Sequence, residues 1–382
     1  MWGEEMSVSI IGSGMTKIGR HFSKGFKELA MESLSKAMEK SGVSGNDLDY
    51  LIVSTAFPQI LMNQSDPARI LAQELGLKDL KALRVEYGEA SGSAALEVAK
   101  SLLEAGRARY VAVVGFEKLT EYPSDKANYA YSTLLDFEYE VVRNITPPSY
   151  AAIIMREFMK RRSISKEDIA AWSVNMHEKA STNPFAQLPF KITREKALSG
   201  VVISEPLTLY DAFPLGDGAA SIILSDEEGL KRASAEPVEV KEITQAVGHP
   251  LYLREDLTFF EATSNAWREL SSRTGITIDE NTAIQVHDAY SIYGLLALEA
   301  LGIGEAGKLL TSLDEMPFLN VGGGLKARGH PVGATPLYAV AENYELMTSG
   351  FNGLKYDGEY SLVHSMTGPD LSAYLILLKR WK

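Results

Sequence analysis

The sequence predicts an α/β protein made of two similar layered halves, and three observations carry that expectation. Short apolar runs that read as buried strands alternate with stretches whose apolar residues recur at helical spacing. From about Pro237 onward the order of elements resembles that of the first part, without obvious sequence repetition. Between the two, from about Leu119 to Thr193, the pattern loosens into a stretch rich in Tyr, Pro and Asn.

Taken in order, the first half opens with a strand in SVSIIGSG. Phe26, Leu29, Ala30, Leu34, Ala37 and Met38 then share one helix face, and Gly42 stands where a left-handed cap ends such a helix. LDYLIVSTAF reads as a buried strand, followed by a helix around Asp66 to Leu75 and the strand ALRVEY. A helix from Ser91 to Ala105 and the strand RYVAVVGFEK complete a layered unit. The looser stretch holds one clear helical pair, around Tyr150 to Lys160 and Lys166 to Ala180, and reads as an inserted lid. GAASIILS closes the first half. The second series contains VEVKEIT, a helix near Phe260 to Thr274, TAIQVHDAY, a helix from Ser291 to Leu301, a glycine-rich turn, a helix from Ala334 to Ser349 and two final strands. The expected division is 1–118 with 194–235 for the first half, 119–193 for the lid and 236–382 for the second half.

One glycine pair needs a separate reading. IIGSGMTKIG follows a strand, but a dinucleotide loop requires Gly-x-Gly-x-x-Gly opening a helix, and Lys17 occupies the third glycine position. A tight turn after the first strand is expected instead.

Composition removes several function classes. A net charge of -12 leaves no domain-wide basic surface for nucleic acid, and Lys160, Arg161 and Arg162 read as a solvated helix face, the alternative being a contact with the phosphates of a ligand. Apolar runs such as YVAVVGF are far shorter than the roughly 20 residues a membrane helix needs. The start, MWGEEMSVSII, lacks a basic segment followed by an apolar one, so a cytoplasmic protein without membrane contact is expected. The 382 residues include no cysteine, which excludes disulfides and thiolate metal sites, and no metal is expected.

The candidate reactive residues lie in four short stretches. In VEYGEASGSAAL small residues crowd both sides of Glu89 at the start of an apolar helix. His330 lies in GGGLKARGHPVGAT, where three glycines permit unusual backbone angles and Pro331 fixes the turn, a setting that holds an imidazole rigidly. His287, in QVHDAYS, ends a strand just before a helix, where α/β layers place their ligands. LVHSMTGPDLSA contains a turn at Gly368 between two strands. His249, in VGHPL, lacks the surrounding glycines and small-residue helix start and reads as a plain loop; His177 and His364 read equally well as satisfied core or surface groups.

In this order and spacing the motifs resemble those of the thiolase superfamily nearly end to end, most of all its archaeal and sterol-carrier-protein-type branch. VEYGEASGSAAL is similar to the nucleophile motif, usually Cys-Ala-Ser-Gly, and EPLTLYDAFPLGDGAASIIL to the end of the first half. VHDAYS is similar to the His-Asp-Cys-Phe or His-Asp-Ala-Phe motif, GGGLKARGHPVGAT to the Gly-His-Pro motif, and NMHEKASTNPFAQ to the loop domain. The resemblance implies two βαβαβαββ halves stacked as five αβαβα layers, a loop domain covering acyl-coenzyme A, and a homodimer. Coenzyme A would enter as part of the substrate, with no other cofactor. His330, and His287 through a water, would stabilise the enolate of a thioester, while the turn at Gly368 would donate a backbone N–H to the acyl oxygen.

Three departures change what such a site can do. Glu89 stands at the position of the nucleophilic cysteine, Ala289 at that of the proton-shuttling cysteine, and HSMTGPD replaces a glycine-rich turn. A carboxylate cannot usefully accept an acyl group, and losing a nucleophile lowers rates by on the order of 10⁶, so ordinary thiolysis is not expected. Retro-aldol cleavage of a 3-hydroxyacyl-coenzyme A needs no acyl capture. Glu89, Tyr290 and Tyr293 are candidates to take the hydroxyl proton, with His330 and His287 holding the enolate. Thiolase-like aldolases of steroid side-chain breakdown use tyrosines for acid/base work and a small OB-fold, zinc-ribbon partner, so the resemblance implies such a partner and a role for Tyr290. The alternatives are a non-catalytic acyl-coenzyme A binder or scaffold, and acetyltransferase-like acyl transfer or thioester decarboxylation at the same histidines. Burial would raise the pKa of Glu89, while a helix N-terminus and a protonated His330 would lower it. The outcomes are a base poised near neutral pH or a static ion pair.

Overall fold

The computed structural model describes residues 7–77 and 79–381. Part of the expectation about the start of the chain falls on residues 1–6, outside that range. The first half runs β1 (Ser9–Met15), α1 (Phe26–Ser41), β2 (Tyr50–Ser54), α2 (Pro67–Glu74), β3 (Lys81–Val85), α3 (Ser91–Glu104) and β4 (Tyr110–Glu117). Local chemistry sets these limits. Gly42, at φ 73°, ends α1, and the Asp66 side chain accepts from the Arg69 N–H to start α2 with Pro67 in its first turn.

The stretch after β4 contains α4 (Ser124–Ser132), α5 (Pro147–Arg162) and α6 (Lys166–Ala180), followed by α7 (Arg194–Leu198) and a small hairpin of β5 (Val202–Ser204) and β6 (Leu207–Thr208). α7 packs on α6, and the hairpin on α5. Sequence periodicity gave no sign of α4, because SDKANYAYS has no apolar stripe and buries mainly Ala127, Ala130 and Tyr131. At the end of α5, Arg161 pairs with Glu157 and Asp256 and Arg162 with Glu299, all at the surface.

β7 (Gly218–Ser225) returns to the first half, and α8 (Glu227–Leu230) leads out of it. The second half comprises β8 (Val238–Val247), α9 (Glu261–Thr274), β9 (Ala283–Gln285), α10 (Ser291–Ala300), α11 (Ala306–Ser312), α12 (Thr335–Met347), β10 (Tyr360–Thr367) and β11 (Ser372–Arg380). β1 pairs with β8, so apart from the β5–β6 hairpin the described strands form one nine-stranded mixed sheet, ordered β3-β2-β4-β7-β1-β8-β11-β10-β9. Leu319 bridges to Ile284 beyond β9, in the place β3 takes beside β2. Read outward from the β1–β8 junction, each half therefore places its strands in the same order: first, last, second-last, second, third.

Helices complete the five layers. α1 and α2 cover the first half's strands on one side, and α9, with α10 against it, covers the second half's on the other. α3 and α12 lie between, each touching strands of both halves and each other. Among the described residues no helix is long and apolar enough to cross a membrane.

The expected turn at Gly12 and Gly14 is not where the chain puts it. β1 continues to Met15, with a bulge between Ile10 and Gly12, and α1 lies directly on it. A Cβ at Gly12 would come 2.4 Å from the Ala37 carbonyl oxygen, and one at Gly14 would come 2.1 Å from that of Ser33. The glycines thus allow a helix backbone to approach a strand rather than turning the chain. Gly14→Ala should force these backbones apart and destabilise the protein by about 1–3 kcal/mol, seen as a lower denaturation midpoint; an unchanged midpoint would mean that α1 can retreat freely.

Candidate active site

Four loops from the two halves meet at one buried point. Glu89 lies between β3 and α3, His287 between β9 and α10, His330 in the turn before α12, and Gly368 between β10 and β11. The Glu89 turn is held locally: Gly88 takes φ 55°, and the Ser91 hydroxyl accepts from the Tyr87 N–H while donating to the Gly88 carbonyl. The glycine-rich stretch winds through a single wide i→i+5 turn at Gly324–Arg328 and then presents His330.

The carboxylate of Glu89 is the centre of the arrangement. Its Oε1 lies 3.1 Å from His330 Nε2 and 3.7 Å from His287 Nε2, while Oε2 accepts from the Gly368 N–H at 2.7 Å. The His287 and His330 rings stand nearly perpendicular, with centroids 5.3 Å apart. All three side chains are buried. On its other edge His330 Nδ1 lies 2.6 Å from the Thr335 hydroxyl. When that hydroxyl donates, the ring proton belongs on Nε2 and points at Glu89, an assignment made from the hydrogen-bond network.

Burial pushes the Glu89 carboxyl up, but the contacts and charges of His287 and His330 outweigh it and hold the group down at about 2. Burial also drives His330 down to about 4, against the pull of Glu89. A carboxylate that low calls for an imidazolium opposite, and burial denies it one. The direction that stands is an ionised Glu89 facing a neutral ring, because N–H groups of His330 and Gly368 already point at its oxygens.

Tyr290 and Tyr293 line the same region, their rings 5.1 Å apart and edge-on, and Phe213 joins them by packing against Tyr290 and His330. Burial pushes the Tyr290 phenol well above its ordinary range and the Glu89 charge adds to this; for Tyr293, burial is followed by Tyr290 and Glu89. Both phenols therefore keep their protons in the resting state. Direct polar contact joins Glu89 to His330 and Gly368, with His287 alongside, whereas Tyr290 belongs to the aromatic wall.

The sequence alone assigns no role to several contributors. Tyr131 of α4 is buried with no partner for its hydroxyl and has its ring 6.1 Å from that of His330. Asp288 accepts from Trp172 Nε1 of α6 and from the Leu325 N–H, linking the lid to the glycine-rich stretch. His364 Nδ1 accepts from the His287 N–H, and its Nε2 contacts Thr263, whose hydroxyl donates to Asp370. His177 is a buried group on the Phe190 carbonyl, and His249 is an exposed partner of Glu261. Glu117 accepts from the N–H groups of Ala56, Phe57 and Gly333 and from the Thr55 hydroxyl. Its signal was a charge ending the apolar run of β4.

This geometry stabilises an anionic oxygen in a site without a thiolate. An enolate oxygen would need the same N–H donors that Glu89 now occupies. Glu89, His287 and His330 also offer a carboxylate oxygen and two ring nitrogens within 4.8 Å of one another, a set able to hold a metal ion.

Comparison with known proteins agrees with this architecture. The thiolase N-terminal domain family matches residues 8–228, and the thiolase C-terminal domain-like family matches residues 245–380. An acetyl-CoA acetyltransferase of Methanocaldococcus jannaschii is 35% identical, with 88% of each chain covered; one of Methanothermobacter thermautotrophicus is 33% identical over 98% of this chain and 99% of its own. Among solved structures, the Ltp2-ChsH2(DUF35) aldolase superposes with a TM-score of 0.80 at 21% identity, covering 98% of both chains.

Burial raises Glu117 from its ordinary 4.5 to about 7, against its four donors. Because the folded value lies above the unfolded one, its stabilising contribution is complete below about 4.5 and is lost as the pH rises through about 7. Glu117→Gln should therefore destabilise more at pH 5 than at pH 8, a difference readable in Tm; an equal loss at both would place the carboxyl outside this titration.

Proposed function

Because the chain belongs to the thiolase family, we propose that it cleaves a 3-hydroxyacyl-coenzyme A by a retro-aldol reaction, without a covalent acyl-enzyme. The observation that carries this reading is the pair of contacts from His330 and Gly368 to Glu89. The donors suited to an enolate oxygen are in place, while the group that would capture an acyl chain is replaced by a base.

In this mechanism the thioester oxygen displaces the carboxylate from His330 and Gly368. Glu89, freed from them, takes the proton of the 3-hydroxyl. The C2–C3 bond breaks, its electron pair forms the enolate held at His330 and Gly368 with His287 alongside, and C3 becomes a carbonyl. The Tyr290 phenol gives its proton to C2 and recovers one from Glu89. The products are a carbonyl compound and a shorter acyl-coenzyme A, and free coenzyme A is not consumed.

The Ltp2-ChsH2(DUF35) aldolase structure supports the reaction class and the presence of a second protein, for which the family resemblance implies a small OB-fold, zinc-ribbon partner. A cytoplasmic homodimer acting in lipid metabolism completes the proposal. A second reading, a non-catalytic acyl-coenzyme A binder or scaffold, is favoured by the same contacts seen from the other side: Glu89 already satisfies the donors.

The test is a panel of 3-hydroxyacyl-coenzyme A thioesters, assayed for carbonyl release without added coenzyme A. Glu89→Gln should lower turnover by about 10²–10⁴-fold, the usual worth of a general base. Unchanged turnover would transfer that role to Tyr290, and no turnover by the parent protein, alone or with its partner, would leave the scaffold reading.

A further inference from the structure

The side chains at the site have a second capability that does not depend on the reaction. Glu89 Oε1 faces both His330 Nε2, at 3.1 Å, and His287 Nε2, at 3.7 Å, and the three donor atoms come from three different loops. Around a four-coordinate ion with bonds of about 2.0–2.1 Å, neighbouring ligand atoms stand ~3.3 Å apart. The two spacings to Oε1 reach that value with shifts of a few tenths of an ångström, and all three donor atoms already lie within 4.8 Å of one another.

Two further observations point to an occupant. Neither ring nitrogen of His287 has a hydrogen-bond partner, although the side chain is only 1% exposed, and its Nε2 is aimed at Oε1. Buried polar atoms are seldom left so. Outer contacts also suit coordination. The Gly368 N–H holds Oε2 and so orients Oε1 inward, and on metal binding the Thr335 hydroxyl would turn from donor to acceptor, moving the His330 proton from Nε2 to Nδ1 and freeing the Nε2 lone pair.

We infer that Glu89, His287 and His330 form a binding site for one divalent first-row transition-metal ion in the substrate-free protein. Two imidazoles and one carboxylate favour Zn²⁺, Fe²⁺ or Co²⁺ over Mg²⁺ and Ca²⁺, which prefer oxygen ligands throughout. The sequence-based expectation of no metal rested on missing thiolates, which this donor set does not need. A bound ion would fix Glu89 in place, so metal loading and its use as a base exclude each other. The inference goes beyond the retro-aldol reading and stands without it.

Chelator-treated protein is titrated with Zn²⁺ alone by calorimetry and with Co²⁺ alone by visible absorption, in the absence of substrate. The expected result is one equivalent bound, with Co²⁺ giving the intense bands of a four- or five-coordinate site. Affinity should fall at least about 10–100-fold, the range reached even by outer-shell changes, in both Glu89→Gln and His287→Phe. His249→Ala, which removes the exposed histidine beside Glu261, should leave it unchanged. Absence of uptake by the parent protein, or undiminished uptake in the near-isosteric Glu89→Gln, would overturn the assignment. These readouts do not involve turnover, so failure of the aldolase reading would leave them intact.

Discussion

Everything around the site is arranged to keep one carboxylate ionised away from water. Glu89 belongs to the first half of the chain, while His287, His330 and Gly368 belong to the second, so its contacts join the halves at their most buried point. An anion placed there without its donors would destabilise the protein by several kcal/mol, because burial removes its hydration and nothing replaces it. The Thr335 contact that orients His330, the left-handed turn at Gly88 and the Ser91 staple all serve that placement.

The supporting loops use the same device on a larger scale. Glu117, Asp288 and Asp370 are buried carboxyl groups, each accepting from backbone N–H groups of a different loop or helix start. A single acidic side chain can accept several such bonds at once, so it fixes an irregular segment as a ladder fixes a strand. Burial raises all three, Glu117 to about 7 and the aspartates to about 6, which measures how much water has been excluded.

The fold and the centre of the site were legible because local sequence determines them. The stripe from Phe26 to Met38 and the cap at Gly42 specify α1, and glycines with Pro331 specify the bend presenting His330. What stayed hidden depends on partners distant in sequence. Nothing near Gly12 or Gly14 reveals the helix lying on them, and SDKANYAYS gives no hint that Tyr131 packs beside His330. The replaced turn HSMTGPD looked like a loss, yet the Gly368 N–H still points inward, and Asp370 binds the start of α9 through Ala262 and Thr263. His364 was ambiguous for the same reason: its partners are the backbone of His287 and a threonine about a hundred residues earlier.

The matching strand order of the two halves carries one more consequence. In it α3 and α12 occupy equivalent places, and both form the shared middle layer. Glu89 stands just before α3 and His330 just before α12. Side chains presented at the starts of two equivalent helices, one from each half, therefore meet across the junction. One half supplies an acid and the other an imidazole, so neither half holds the complete arrangement, which exists only where the two meet.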